Sequence, residues 1–197
     1  MITFVAMLLT ISPLLTVQDT SHVDASTPRD VQIALARSAA PPEVSGKATI
    51  YVLGAKGYEK AVEGSNGFSC IIDREFVDTM EPECYDAEGS KSTLLVRMFV
   101  EKSRAEGKKA EQIDAAVEAG YKSGKFRAPG KPGIVYMLSP HNHVFDPESK
   151  KIIEFPGHLM FYAPYLTEKE VGSGPGAPYL VHPGKPDALM IVVPATH

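Results

Sequence analysis

The side chains best suited to chemistry in this 197-residue chain are its histidines. His141 and His143 flank Asn142 as an H-x-H pair, and on extended backbone both imidazoles would point to one side. Glu148 follows shortly, and Pro156-Gly157-His158 brings a third imidazole to the start of a predicted strand. Two or three imidazoles with a carboxylate make a ligand set for zinc, iron or manganese, and an open position would serve water or substrate. The plainer alternative is a solvated loop after Pro140 holding His141 and His143, with His158 at a strand edge and no cofactor at all. Other signatures of catalysis are missing: no G-x-S-x-G elbow, no H-E-x-x-H and no phosphate-binding glycine loop. Gly172 to Gly176 includes a proline, which has no N–H to offer a phosphate.

The histidine pattern resembles, in outline, that of the cupins: H-x-H, then a glutamate, then a Pro/Gly turn leading to another histidine. That resemblance implies a divalent transition metal on His141, His143, Glu148 and His158. The chain departs from it in its glycine positions, in a compressed Pro156-Gly157-His158 turn, and in carrying two central helices. A second cluster is acidic. Asp73, Glu75, Asp78, Glu81, Glu83, Asp86 and Glu88 crowd one stretch, opposed by Arg74 alone. Such a stretch suits Ca²⁺ or a basic partner, or is a solvated loop; no calcium-loop spacing is present. Lys122, Lys125, Arg127 and Lys131 form a weakly basic counterpart that reads as the soluble end of a helix.

The two cysteines, Cys70 and Cys84, are the entire thiol complement. In an oxidising compartment they would form one bridge, with a redox pair or half a metal site as rivals. A redox pair usually reads C-x-x-C, and a zinc site wants more ligands at close spacing; neither pattern occurs. Export is also the reading of the first residues. Residues 2 to 17 hold no charge, are short for a membrane span, are interrupted by Pro13, and suit the apolar core of a secretory signal. Residues 1–25 are thus expected to be a signal peptide or an N-terminal membrane anchor with a polar linker. Residues 26–197 are expected to form one globular domain. The net charge of -4 gives no footprint for nucleic acid, and contact with a membrane is expected only through the N-terminal segment.

Hydrophobic periodicity supplies the elements that would position these groups. Asp30 to Ser38 predicts a short helix ending before Pro41-Pro42. Ala48 to Leu53, Tyr58 to Val62 and Phe68 to Ile72 predict strands, and Asn66-Gly67 predicts a hairpin between the last two. Residues 73 to 92 read as irregular. Thr93 to Ala105 and Ala110 to Ser123 predict two amphipathic helices. Gly133 to Leu138, His158 to Ala163 and Leu189 to Val193 predict three more strands. The order implies an α+β fold: a largely antiparallel sheet of five to seven strands, with two central helices packed on one face.

Four strings, Asn66-Gly-Phe-Ser-Cys70, Pro82-Glu-Cys84-Tyr-Asp86, Tyr136-Met-Leu-Ser139 and His158-Leu-Met-Phe-Tyr-Ala-Pro164, together resemble a family of exported bacterial proteins with no assigned activity. The likeness runs from about Ala34 to Pro194. It implies export and a single compact domain and carries over no catalytic residue. The functional expectation is a non-catalytic periplasmic or extracellular protein that binds a protein partner or a small ligand, or serves as an accessory subunit of a membrane complex. Met160, Phe161, Tyr162 and Tyr165 would supply part of a docking surface, or else strand core.

Overall fold

The computed structural model describes residues 22–74, 78–172 and 176–192, so the apolar run at 2–17 and Glu75 lie outside it. In chain order the elements are α1 (Arg29–Arg37), α2 (Pro42–Ser45), β1 (Thr49–Gly54), β2 (Gly57–Val62), β3 (Ser69–Asp73) and β4 (Glu81–Tyr85). Then follow a short 3-10 turn (Gly89–Lys91), α3 (Thr93–Ala105), α4 (Ala110–Lys122), β5 (Ile134–Met137), β6 (His143–Asp146) and β7 (Lys151–Glu154). The chain finishes with β8 (His158–Tyr162), α5 (Glu168–Val171), β9 (Tyr179–Val181) and β10 (Leu189–Val192).

Eight strands form one sheet in the order β2-β1-β3-β4-β5-β8-β10-β9, and β6 pairs with β7 separately. All neighbours in the large sheet are antiparallel except β1 and β3. The mixed, mostly antiparallel architecture agrees with the sequence; the strand count does not. Eight strands replace five to seven because β4 and β9 escape a pattern search. β4 carries Pro82 among acids, and β9 is three residues long. Pro82 is tolerated in a central strand because β5 pairs only with Cys84 and Tyr85, so no ladder bond is lost on that side. The helices also divide. α1 packs Leu35 and Ala36 onto one face, against Ile50, Cys70, Ile72 and Cys84. α3 packs Leu94 and Met98 onto the other, against Ile71, Tyr85, Val135 and Met160.

The Asn66-Gly67 turn is not a hairpin. β2 pairs back on β1 as the edge strand, and the chain then crosses to set β3 parallel to β1 on its other side. The crossing passes so close to the start of β1 that a Cβ on Gly64 would collide with the Thr49 backbone. Gly120 has an equivalent role on α4, where a Cβ would run into the Phe126 ring. That ring packs against Tyr121 and Phe99, which ties α4 to α3. The residues expected as polar linker also do structural work, for Val23 is 1% exposed within the α1-side core. Gln32 secures it: its amide donates to the Asp24, Thr27 and Leu53 carbonyls, and its oxygen accepts the Leu53 N–H at 2.7 Å.

Cys70 and Cys84 are directly opposite on β3 and β4, bridged, with Cα atoms 4.0 Å apart and neither side chain exposed. The bridge is consistent with an exported protein. Closing a loop between residues 14 apart stabilises the fold by about 3 kcal/mol in the chain-entropy model. Replacing both cysteines by alanine is expected to lower unfolding stability by about that amount without changing the circular dichroism spectrum. Urea titration of the wild type and the double variant measures it; equal midpoints would mean the strand register is held without the bond.

Candidate functional site

The α3 side of the sheet is only partly covered. α3 and α4 lie over one half, and the faces of β5, β8 and β10 beyond them border a cavity of about 1160 Å³. Its floor is apolar: Met137, Met160, Leu189 and Ile191 project from three adjacent strands. Val96, Val100 and Val117 close it from the helices. The β6–β7 hairpin walls one side through Val144, Ile153 and Phe155. Backbone bonds between Met80 and His143 hold that hairpin in place, as do the Asn142 amide on the Met137 carbonyl and the Phe155 N–H on the Asn142 carbonyl.

The opposite wall is two loops clasped together. The Ala163, Tyr165 and Gly184 N–H groups donate to the Ala188, Lys185 and Leu166 carbonyls. Tyr165 and His182, one from each loop, both sit in the left-handed region, at φ 65° and 52°. That conformation is costly for side chains of this size and is sustained by the clasp. It leaves His182 at the cavity rim with Nδ1 3.1 Å from Oδ2 of buried Asp187. Burial pulls the Asp187 carboxyl upward, but the His182 hydrogen bond and charge and the nearby Arg97 outweigh it and hold the group below its usual range.

Ionic groups line the end of the cavity under α3. By strand alternation Asp73, Glu81, Glu83 and Tyr85 share the α3 face of β3 and β4. Arg97 descends from α3 with Nε 3.3 Å from Asp73 Oδ2, and Asp73 and Glu83 keep its guanidinium firmly charged despite burial. Glu101, one helical turn on, is 3% exposed and takes Arg74 at 2.6 Å and Arg104 at 3.5 Å. Glu83 is different. It accepts the Tyr85 hydroxyl, and burial, reinforced by Asp73, pushes its carboxyl up to about 7.

His158 stands on the same face as Met160 and Tyr162 and lines the cavity while 3% exposed. Its Nδ1 is 3.1 Å from the Pro156 carbonyl, a contact that only an N–H can make favourably. Nε2 is therefore the acceptor nitrogen, and it has no hydrogen-bond partner among the described residues. Burial pushes this imidazole down, toward the neutral form. The Tyr121 hydroxyl, from α4, is likewise buried at the cavity without a partner.

The other residues singled out from sequence are dispersed. His141 is exposed in a turn, so the extended H-x-H geometry does not form; its carbonyl meets Nδ1 of buried His143 at 3.0 Å. Glu148 is in the turn joining β6 to β7, at the far end of the hairpin from His143, about 10 Å of strand away. No group of three or more His, Cys, Asp or Glu among the described residues is placed to hold a metal. Met160 and Tyr162 belong to the core, and Tyr162 donates to Asp86 at 3.1 Å. Phe161 points from the opposite face, half-buried beside its register partners Ile134 and Met190, and Tyr165 is 61% exposed. The acidic stretch is not a solvated loop: Asp73 and Glu83 are buried, Asp86 accepts the Glu88, Gly89 and Ile134 N–H groups, and Glu88 takes Arg127 at 2.7 Å.

Compared with protein-family models, with curated proteins and with solved structures, this chain finds no match. The reading of the site therefore rests on its geometry. Arg97, Tyr121 and the His182–Asp187 pair were not singled out by residue type. The available signal was Arg97, Glu101 and Arg104, spaced four and three residues apart on a helix whose other face is apolar.

Glu83 yields a pH prediction. Its folded-state carboxyl titrates near 7, against 4.5 for an ordinary glutamate, so the folded state binds the extra proton between those values. Its contribution is full below about pH 4.5 and is lost as pH rises through 7, a difference of about 3 kcal/mol at most. Glu83→Gln, which keeps an acceptor for Tyr85, is expected to unfold at higher urea than wild type at pH 8 and to match it near pH 5. Parallel urea midpoints of the two proteins at both pH values would show that Glu83 does not titrate in this range.

Proposed function

We propose that this is an exported binding protein whose small, largely apolar ligand occupies the cavity between the sheet and α3–α4. The observation that carries the reading is the cavity itself. About 1160 Å³ with a floor of methionine, leucine and isoleucine and a few converging polar groups is the usual composition of a ligand site. Well-packed domains of this size hold few voids larger than a water molecule, so a space this large with an apolar floor supports a ligand as its occupant. The disulfide and the uncharged run at residues 2–17 support a periplasmic or extracellular location. Where that run is kept as an anchor, the same domain would serve on the outer side of a membrane as an accessory subunit.

The reading requires no turnover. Its polar groups orient a ligand, and no nucleophile is paired with the His182–Asp187 couple among the described contacts. Native mass spectrometry of protein gently extracted from its own cell is expected to show a mass two hydrogens short and a retained organic molecule.

A probe gives the second test. Diphenylhexatriene, an uncharged hydrocarbon that fluoresces in apolar surroundings, is expected to bind at one saturable site. Ala115→Trp places a large ring at an exposed, cavity-lining position on α4, and is expected to weaken the probe at least tenfold with no change in thermal midpoint. Absence of saturable fluorescence with the wild-type protein would reject the cavity as a ligand site.

A further inference from the structure

A guanidinium carries several N–H donors and no acceptor, and Arg97 uses none of them in a hydrogen bond among the described residues. Its side chain lines the cavity from α3 and is 20% exposed. Nε is the buried edge, turned toward Asp73 at 3.3 Å without a hydrogen bond to it. The two terminal nitrogens are equally unpartnered but are not sealed off, so the open edge of the group is theirs. Burial opposes the charge, yet Asp73, Tyr85 and Glu83 outweigh it and keep the donors in place. Arg97 interacts with Asp73 on β3 and with Asp187 just before β10. Those two flank β4, β5 and β8 in the sheet, so the guanidinium lies over the strands that carry the apolar floor.

The other polar groups of the wall are differently placed. His158 Nε2 and the Tyr121 hydroxyl also lack partners among the described residues, but each atom is itself buried. Arg74 and Arg104 both engage Glu101. Asp114 and Lys185 are exposed, and water meets their charges. Arg97 is left as a partly covered cation with open donors, and such groups in native structures ask for an acceptor.

We infer that Arg97 is the polar anchor of the site: the ligand sets an acceptor oxygen, of a carboxylate or an ester carbonyl, on its terminal nitrogens. The hydrocarbon of the ligand then extends over Met137, Met160, Leu189 and Ile191. The planar fork of arginine suits such oxygens, and a cationic head would meet a like charge there. This inference rests on the cavity being the ligand site, and adds which group of its wall selects the ligand.

The experiment is displacement of diphenylhexatriene from the full-length protein by three twelve-carbon compounds below their micellar concentrations. Laurate and methyl laurate carry acceptor oxygens, the first ionised and the second not. Dodecylamine, a cation, carries only donors. Both laurate and its ester are expected to displace the probe roughly tenfold better than dodecylamine, and the tighter of the two identifies the form of the acceptor. Asp73→Asn removes the carboxylate that competes for the guanidinium, and is expected to strengthen laurate roughly three- to tenfold against the probe. Adding Arg97→Met to that variant deletes the anchor without stranding a buried partner charge. Laurate and methyl laurate are then expected to weaken roughly fivefold or more against the probe, relative to Asp73→Asn alone. Where the double variant does not fold, Arg97→Lys replaces it, keeping the charge, losing the fork and weakening methyl laurate several-fold. Dodecylamine matching both acceptor compounds would overturn the anchor. So would laurate no tighter on Asp73→Asn, or acceptor compounds no weaker once the arginine is gone. A wild-type protein that binds no probe would instead reject the cavity reading beneath it.

Discussion

The rest of the structure depends on the pairing of β3 with β4, two five-residue strands buried almost throughout and joined by Cys70–Cys84. On one face this pair supplies the floor on which α1 lies, with Cys70, Ile72 and Cys84 in contact with the helix core. On the other it supplies Ile71 and Tyr85 to the core beneath α3, and Asp73 and Glu83 to the cavity. Register is therefore decisive. A slip of one residue would turn the disulfide toward α3 and the carboxylates toward α1, away from Arg97. The covalent bond between directly opposed residues excludes that slip, so a strand pair with one buried carboxyl group on each strand can sit at the centre of the sheet.

The cavity follows from a mismatch of coverage. Two helices of 13 residues each, about 20 Å long, cannot cover the eight-strand sheet they lean on. α3 settles over the β1–β4 half. The β5–β8–β10 half is then enclosed by the inner edges of α3 and α4 with a small hairpin and two clasped loops as side walls. Irregular backbone makes a poor lid for a tight core, since its polar groups must be satisfied locally. It makes a serviceable wall for a pocket. The strained backbone at Tyr165 and His182 belongs to this arrangement, and the Asp187–His182 contact turns a loop residue into part of a rigid rim.

Much of the fold was legible from periodicity. α3 and α4 were bounded almost to the residue, and the strands with continuous apolar runs, β1, β5, β8 and β10, stood out because they are buried on one or both faces. β4 was not, because Glu81-Pro82-Glu83 has the composition of a turn; only its neighbours, a disulfide on one side and an arginine above, make it a strand. Asn66-Gly67 has the composition of a hairpin, yet it serves a crossover, because a local turn preference does not say which strand the chain will pair with next. The histidine set is dispersed for a related reason. His141, His143 and Glu148 are close in sequence, but a turn and a hairpin carry them apart.

By itself, then, the sequence determined the principal helices and the apolar strands, the mixed α/β class and the cysteine pairing. These depend on local spacing, on hydrophobic period and on there being two thiols to pair. Only the tertiary structure decided which face each helix takes and which charges meet. It also converts an acidic stretch and an ordinary-looking helix into the paired walls of a cavity. The physical reason is that burial, and with it the value of every ion pair and the state of Glu83 and His158, is a property of the assembled layers and of no segment alone.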